Sequence, residues 1–277
     1  MRLRTSPRVL VVHLLLSLFA LAMIYPWLIA ISTALKVRGE STQNSGLIPW
    51  HVDLAKFADV FVRADVPRLA FNSIVITGAT VALVLLLASL AAYAFARLDF
   101  IFKEVIYLGL LIGLMLQTAA IMVPLYQVNV TLHLLNTHLA MIGPYIALAL
   151  PFAVLILRGF FESLPDELVD AAVIDGASHF TIYWRVLLPL TRPALTTVGI
   201  FVGLGSWNDF LLPMLFTSTS DMRTLPLGLL AFVQDELSTL QEERFALIVM
   251  MMLPAVILFI ALQRQFIQGL TAGAVKQ

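Results

Sequence analysis

Long stretches without a single Asp, Glu, Lys or Arg restrict what this chain can fold into more than any other feature. Residues 9–35, 69–96 and 105–157 are free of these charges over 27, 28 and 53 residues. Pro193 to Asn208 adds 16, Asp209 interrupts, and Phe210 to Ser220 adds 11. Phe245 to Gln263 adds 19. A bilayer core takes about 20 apolar residues of helix, whereas barrel strands alternate in segments of about 10. Composition agrees: 60% of residues are apolar, 12% are charged and the mean hydropathy is +0.95. A soluble domain carries about 25% charged residues. These values exclude a soluble enzyme and a disordered chain. The 17 basic residues balance the 17 acidic ones, so no net field draws a polyanion. The absence of cysteine excludes disulfides and thiol catalysis.

The 53-residue stretch is too long for one span. Its polar segment, Gln127 to His133 followed by Asn136-Thr137-His138, divides it into two helices. Pro193 to Ser220 reads as one helix with an acid inside it. The expectation is an all-α, polytopic membrane protein with six transmembrane helices in a single domain over residues 1–277. The spans fall at about 9–32, 70–96, 105–126, 139–157, 193–217 and 245–265. Arg2, Arg4 and Arg8 precede the first run as in a signal peptide. A signal h-region is only about 7–15 residues, so the run reads as the first span. Lys and Arg set the orientation. Ten lie on the side of both termini and seven on the other. Five of those seven sit in the long first loop, where charge counts least. Both termini are therefore expected to be cytoplasmic.

The segment 158–192, between the fourth and fifth spans, has its own pattern. Ser163 and Asp166 resemble a capping box. Pro165 suits a first turn, and Asp166 and Glu167 suit the N-terminal end of a helix dipole. At about 100° per residue, Leu164, Leu168, Ala171 and Asp175 share one face, and Asp166, Glu167 and Asp170 another. Gly176 marks the helix end. A second short helix follows, with Ser178 as its cap. Phe180, Tyr183, Trp184 and Leu187 fall on one side of it, and Pro189 is expected to stop it. An interfacial hairpin would be rich in Lys and Arg on its polar face. The first helix carries only acids there, so a basic protein surface suits it better than lipid.

Asp170-Ala171-Ala172, three residues, Gly176, nine residues, Val186, one residue and Leu188-Pro189 resemble the EAA loop of ABC-importer permeases. The family has Glu where this chain has Asp170 and Ile where it has Val186. Both changes keep charge or shape. Phe266 to Lys276, Trp207-Asn208-Asp209-Phe210 and Ala91 to Arg97 also resemble the carbohydrate, maltose-type branch. The resemblance implies a cytoplasmic coupling-helix loop. It would dock on a partner ATPase through Glu167, Asp170, Ala171, Ala172, Asp175, Gly176, Val186, Leu188 and Pro189. It further implies a second, different permease, two copies of the ATPase and an extracytoplasmic solute-binding protein. The place is the bacterial inner membrane and the cargo a sugar. The chain would be a non-catalytic subunit with no cofactor of its own, ATP and Mg being bound by the ATPase. No G-x-x-x-x-G-K-[ST] loop occurs in the sequence.

Within the spans, Gln117, Trp207, Asn208 and Asp209 are candidates for the translocation path. Intramembrane acids normally face a cavity or a partner. Asp209 either does so or lies near the outer interface, capped by Asn208 or paired with a sister subunit. His13 reads as a hydrogen-bonded structural residue. Pro124, Pro144 and Pro151 are expected to kink or break their helices, which either shapes packing or opens a cavity. Gly109-x-x-x-Gly113 and Gly199-x-x-x-Gly203 allow close helix approach. The outer loops, Lys36 to Arg68 and Ser218 to Glu243, are placed by position to meet the binding protein. Alternatives are an ABC permease for a non-sugar solute and a stand-alone secondary transporter. The latter needs coupling groups at midplane and often an inverted repeat. An intramembrane enzyme needs more than Asp209.

Overall fold

The computed structural model describes residues 7–234 and 240–274; Arg2, Arg4 and Lys276 lie outside the described residues. Helices account for nearly all of it. In chain order they are α1 (Pro7–Leu35), α2 (Ala55–Arg63), α3 (Val66–Arg97), α4 (Lys103–Ile112), α5 (Thr118–Thr131) and α6 (Leu139–Ser163). Then come α7 (Glu167–Ile174), α8 (His179–Thr181), a π-helical stretch Ile182–Leu187, and α9 (Leu188–Leu190). The last are α10 (Arg192–Asn208), α11 (Leu211–Phe216), α12 (Leu225–Gln234) and α13 (Gln241–Ala274). Among the described residues the β contribution is one isolated antiparallel bridge, Lys36 to Val52. Among the described residues three helices, α1, α3 and α6, are long and apolar enough to cross a membrane by length and composition. The count rises to five if each of two bent helix pairs is one span.

The breaks fall elsewhere than at the prolines expected to cause them. The third expected span breaks at Leu116 and Gln117, whose extended backbone (ψ 110° and 130°) turns the chain 104° into α5. The expected single helix over 193–217 ends at Asn208. Asp209 is extended (ψ 134°), and α11 restarts at Leu211. Conversely, Pro144 and Pro151 do not break α6, which runs unbroken for 25 residues. Apolar helices tolerate proline when neighbours and local adjustment satisfy the freed carbonyls. Pro124 likewise lies inside α5.

The chain separates into two compact units: Met1–Pro67 with Gly228–Val256, and Arg68–Leu227 with Ile257–Gln277. In the first, every side chain of α1 from Val11 to Leu28 is exposed, as suits an apolar helix facing lipid or a neighbouring chain. His13 bonds the Val9 carbonyl one turn away. The loop after α1 is tied by buried polar groups. Lys36 Nζ donates to the Gly46 carbonyl at 2.8 Å, and Lys56 Nζ donates to the Lys36 carbonyl. Glu242 accepts from the Ser41 N–H and hydroxyl at 2.7 and 2.6 Å. Glu243 bridges Arg38 and Arg63, both at 2.7 Å. Val60, Val66, Phe232 and Leu247 close the small apolar core beneath.

The second unit holds the larger core. Its stripes follow i,i+4 spacing: Val84, Ala88 and Ala92 of α3, Ala153, Leu157 and Phe161 of α6, and Ala194, Val198 and Val202 of α10. Gly199 and Gly203 face α3. A Cβ at Gly199 would lie 3.4 Å from Leu85, and one at Gly203 3.5 Å from Val81. These are ordinary van der Waals contacts, so neither position of the second GxxxG pair requires glycine for the approach. Of the first pair, only Gly113 is crowded: a Cβ there would sit 2.8 Å from Pro151 Cγ, while Gly109 meets nothing within 4 Å.

Candidate functional site

The hairpin after α6 is anchored by a residue to which the sequence assigned no role. Arg97, the last residue of α3, donates to the carbonyls of Phe161 and Leu164 at 2.7 and 2.5 Å and pairs with Asp166. They lie at the end of α6, where helical partners run out: the Phe161 carbonyl otherwise has only a long 3.3 Å bond from the Leu164 N–H. The expected Ser163–Asp166 capping box does not form. Ser163 Oγ donates back to the Phe160 carbonyl, and Asp166 makes no cap bond because Arg97 holds its carboxylate.

α7 ends where its sequence says. Gly176 has φ +77°. Its N–H donates to the Val173 carbonyl and the Ala177 N–H to the Ala172 carbonyl, both at 2.9 Å. This double closure is the Schellman motif, and it demands a left-handed residue. Ser178 Oγ then accepts a long 3.4 Å bond from the Thr181 N–H.

The second helix departs from expectation. Its π-helical stretch, with i→i+5 bonding, shifts the phase of the side chains. Ile182, Tyr183 and Leu187 turn into the core, and Tyr183 shares a 2.8 Å hydrogen bond with Ser89. Phe180 and Trp184 remain exposed and stack on each other, 6.4 Å apart. The single aromatic face is therefore split in two. Pro189 does not stop the helix. The Thr191 N–H bonds the Leu187 and Leu188 carbonyls, α9 runs to Leu190, and the axis then turns 76° into α10.

The nine candidate residues of the hairpin divide by packing. Ala172, Val186 and Leu188 pack against the core, while Glu167, Asp170, Ala171, Asp175, Gly176 and Pro189 are exposed. On α7 the packed edge is Val169 and Ala172, not Leu168 and Ala171. The tip also exposes Ile174 (86%) and Phe180 (68%), large apolar groups with water as their alternative.

The bends build a second feature, a cavity of about 560 Å³ lined from α3, α5, α6, α10 and α11. Of the four path candidates only Asp209 lines it. Gln117 sits at the break before α5, beside Thr118, which does line it. Asn208 donates to the Leu204 carbonyl of its own helix and does not cap Asp209. Asp209 instead accepts from the Tyr145 hydroxyl at 2.7 Å and from the N–H groups of Leu211 and Leu212 at 3.0 and 3.2 Å. It caps the restart of α11 and ties it to α6. Among the described residues, no group of three or more His, Asp or Glu is placed to hold a metal.

Residues 84–272 match the family described as "Binding-protein-dependent transport system inner membrane component". The melibiose/raffinose/stachyose import permease protein MelC of Bacillus subtilis is 32% identical over 277 residues, covering 100% of both chains. The arabinooligosaccharides transport system permease protein AraQ of Halalkalibacterium halodurans is 37% identical over 229 residues, 82% of this chain and 81% of that one. Among solved structures, a chain of a bacterial ABC transporter involved in the import of the acidic polysaccharide alginate superposes with a TM-score of 0.83. It is 23% identical, and the match covers 96% of this chain and 99% of that one, so the two share a fold. The bent apolar helices and this full-length similarity lead to one conclusion: the chain belongs to the inner-membrane permease components of binding-protein-dependent ABC transport systems.

Proposed function

We propose that the chain is a permease subunit of an ATP-driven importer of sugars, and that the α7–α9 hairpin receives the motion of a partner ATPase. The observation that carries this reading is the build of the hairpin. Its inner edge is fixed to the core by Ala172, Val186 and Leu188 and latched by Arg97. Its outer edge presents Glu167, Asp170 and Asp175 beside the exposed Ile174, Phe180 and Trp184. A rigid base with an acidic, apolar tip suits insertion into a basic-rimmed groove on another protein. The names of the relatives, melibiose/raffinose/stachyose for one and arabinooligosaccharides for another, support a sugar as cargo.

In this reading six spans cross the inner membrane: α1, α3, α4 with α5, α6, α10 with α11, and α13. All belong to one transmembrane domain with both termini cytoplasmic. The partners are a second, different permease, two ATPase chains that bind ATP and Mg and carry out hydrolysis, and an extracytoplasmic solute-binding protein that meets the outer loops.

The test is D170K in the assembled importer. An interfacial charge pair, once broken, costs about 2–5 kcal/mol. The variant is expected to insert and assemble with the other permease, but to lose binding-protein-stimulated ATP hydrolysis and sugar uptake. Uptake at the unmodified rate would overturn the docking role.

A further inference from the structure

The cavity at the α10–α11 break holds a group that the fold leaves unused. Thr80 is one of the residues around it and is fully buried, and among the described residues its Oγ1 has no hydrogen-bond partner. Buried polar groups are nearly always satisfied, so an orphan hydroxyl on a cavity wall marks a place for a ligand or a water. Asp209 faces the same space. Three bonds occupy its two oxygens, and a carboxylate offers about four acceptor positions. The hydroxyls of Thr118 and Ser206 complete the polar lining with the Tyr145 phenol. The rest is apolar, including Phe152 and Phe201, whose rings meet at 64° with centroids 5.7 Å apart.

A few convergent hydroxyl and carboxylate groups among aromatic walls suit a polyol: its hydroxyls meet Thr80 and Asp209, and its C–H faces lie on the rings. The volume of about 560 Å³ falls within the range of about 300–1,000 Å³ for small-ligand sites. The lining contains a carboxylate and neither Lys nor Arg. An anionic sugar would meet this acid in a low-dielectric site with no counter-charge.

We propose that this subunit itself carries a sugar subsite, in which Thr80 and Asp209 bind a neutral glycosyl unit and the uncompensated carboxylate rejects acidic sugars. This rests on the sugar-importer reading. Thr80 is a specificity-determining residue here, since it would touch the transported molecule.

The sequence has no cysteine, so A149C places one thiol of this chain on the cavity wall. The test uses the complete importer in proteoliposomes with melibiose, raffinose, arabinotriose and digalacturonate. The expected result has three parts. The neutral sugar that is taken up slows maleimide labelling of A149C at least fivefold, and digalacturonate does not. T80V raises the KM for uptake about tenfold with little change in maximal rate, because the missing hydroxyl strands a sugar hydroxyl. T80V also leaves thermal stability equal or higher, because it removes an unsatisfied buried group. Uptake of a neutral sugar without labelling protection, and with the KM of T80V unchanged, would overturn the subsite while leaving the importer reading intact. ATP-driven uptake of peptides or amino acids in place of all four sugars would overturn the importer reading and the subsite with it.

Discussion

The guanidinium of Arg97 donates to the Phe161 carbonyl at 2.7 Å, so the last residue of α3 closes the last turn of α6. The same group reaches the Leu164 carbonyl and Asp166, and its side chain is only 10% exposed. One residue thereby fixes the point from which the hairpin leaves the membrane helix.

Replacing Arg97 by Ala leaves two carbonyls and a carboxylate without this partner. Hydrogen bonds to a charged group contribute about 1.5–3 kcal/mol. R97A should lose that much local stability, seen as faster amide exchange in residues 161–176. It should also reduce the coupling of ATP hydrolysis to uptake. R97K keeps the charge without the planar fork and should fall between the two.

Gly176 is required for its backbone rather than for space. Its φ is +77°, and a Cβ there would meet nothing within 4 Å. A non-glycine residue in this conformation costs about 1–2 kcal/mol, but Asn visits it readily. G176N should therefore keep most uptake activity, whereas G176V should lose it. Equal activity of the two variants would count against the Schellman turn as the working element.

Gly109 and Gly113 share a motif and should behave oppositely. G113A forces a Cβ to 2.8 Å from Pro151 Cγ and should cost about 1–3 kcal/mol as overpacking. G109A meets open space and should be neutral, or stabilising by up to about 1 kcal/mol from helix propensity. Thermal unfolding of the purified complex distinguishes them.

Outside the membrane, two acids set a pH limit. Burial pushes the Glu40 carboxyl up, but the N–H groups of Trp50, Val37 and His51 and the Asn44 amide outweigh it and hold it below the ordinary value. Burial likewise pushes Glu242 up, and the Ser41 hydroxyl and N–H, with the N–H groups of Glu242 and Gly39, outweigh it and leave it low. A folded value below the unfolded one contributes stability above about pH 4.5. That stability is lost as the pH falls through the folded value. Burial depresses Lys56, against the attraction of nearby acids. Raising the pH through its folded value relieves a cost, so Lys56 does not limit alkaline stability. Fluorescence from a variant retaining Trp50 alone of the 4 tryptophans should change between pH 5 and pH 3 and stay flat from pH 7 to 9.

The sequence revealed much of this fold because its strongest signals are local. Charge-free runs located the apolar helices, and Gly176 and Ser178 located the turn of the hairpin. What it concealed depends on tertiary packing. Nothing in the spacing of Ile182 to Leu187 announces a π-helical stretch, so Phe180 and Trp184 could not be separated from Tyr183. Pro144 and Pro151 looked like breaks, yet the extended residues are Leu116, Gln117 and Asp209. Asp209 stood out as an isolated acid, but its link to Tyr145 spans 64 positions and no periodicity encodes it. Arg97 was legible as a positive charge at a helix end and as the close of the Ala91–Arg97 segment, but not as the latch of the hairpin.

On the proposed reading the exposed tip of the hairpin sits in an ATPase. A photo-crosslinking amino acid in place of Phe180, in cells expressing the whole system, is the decisive probe. The expected result is a crosslink to an ATP-binding chain whose yield changes when nucleotide is trapped. Crosslinks to lipid alone, with no protein adduct in any nucleotide state, would contradict it.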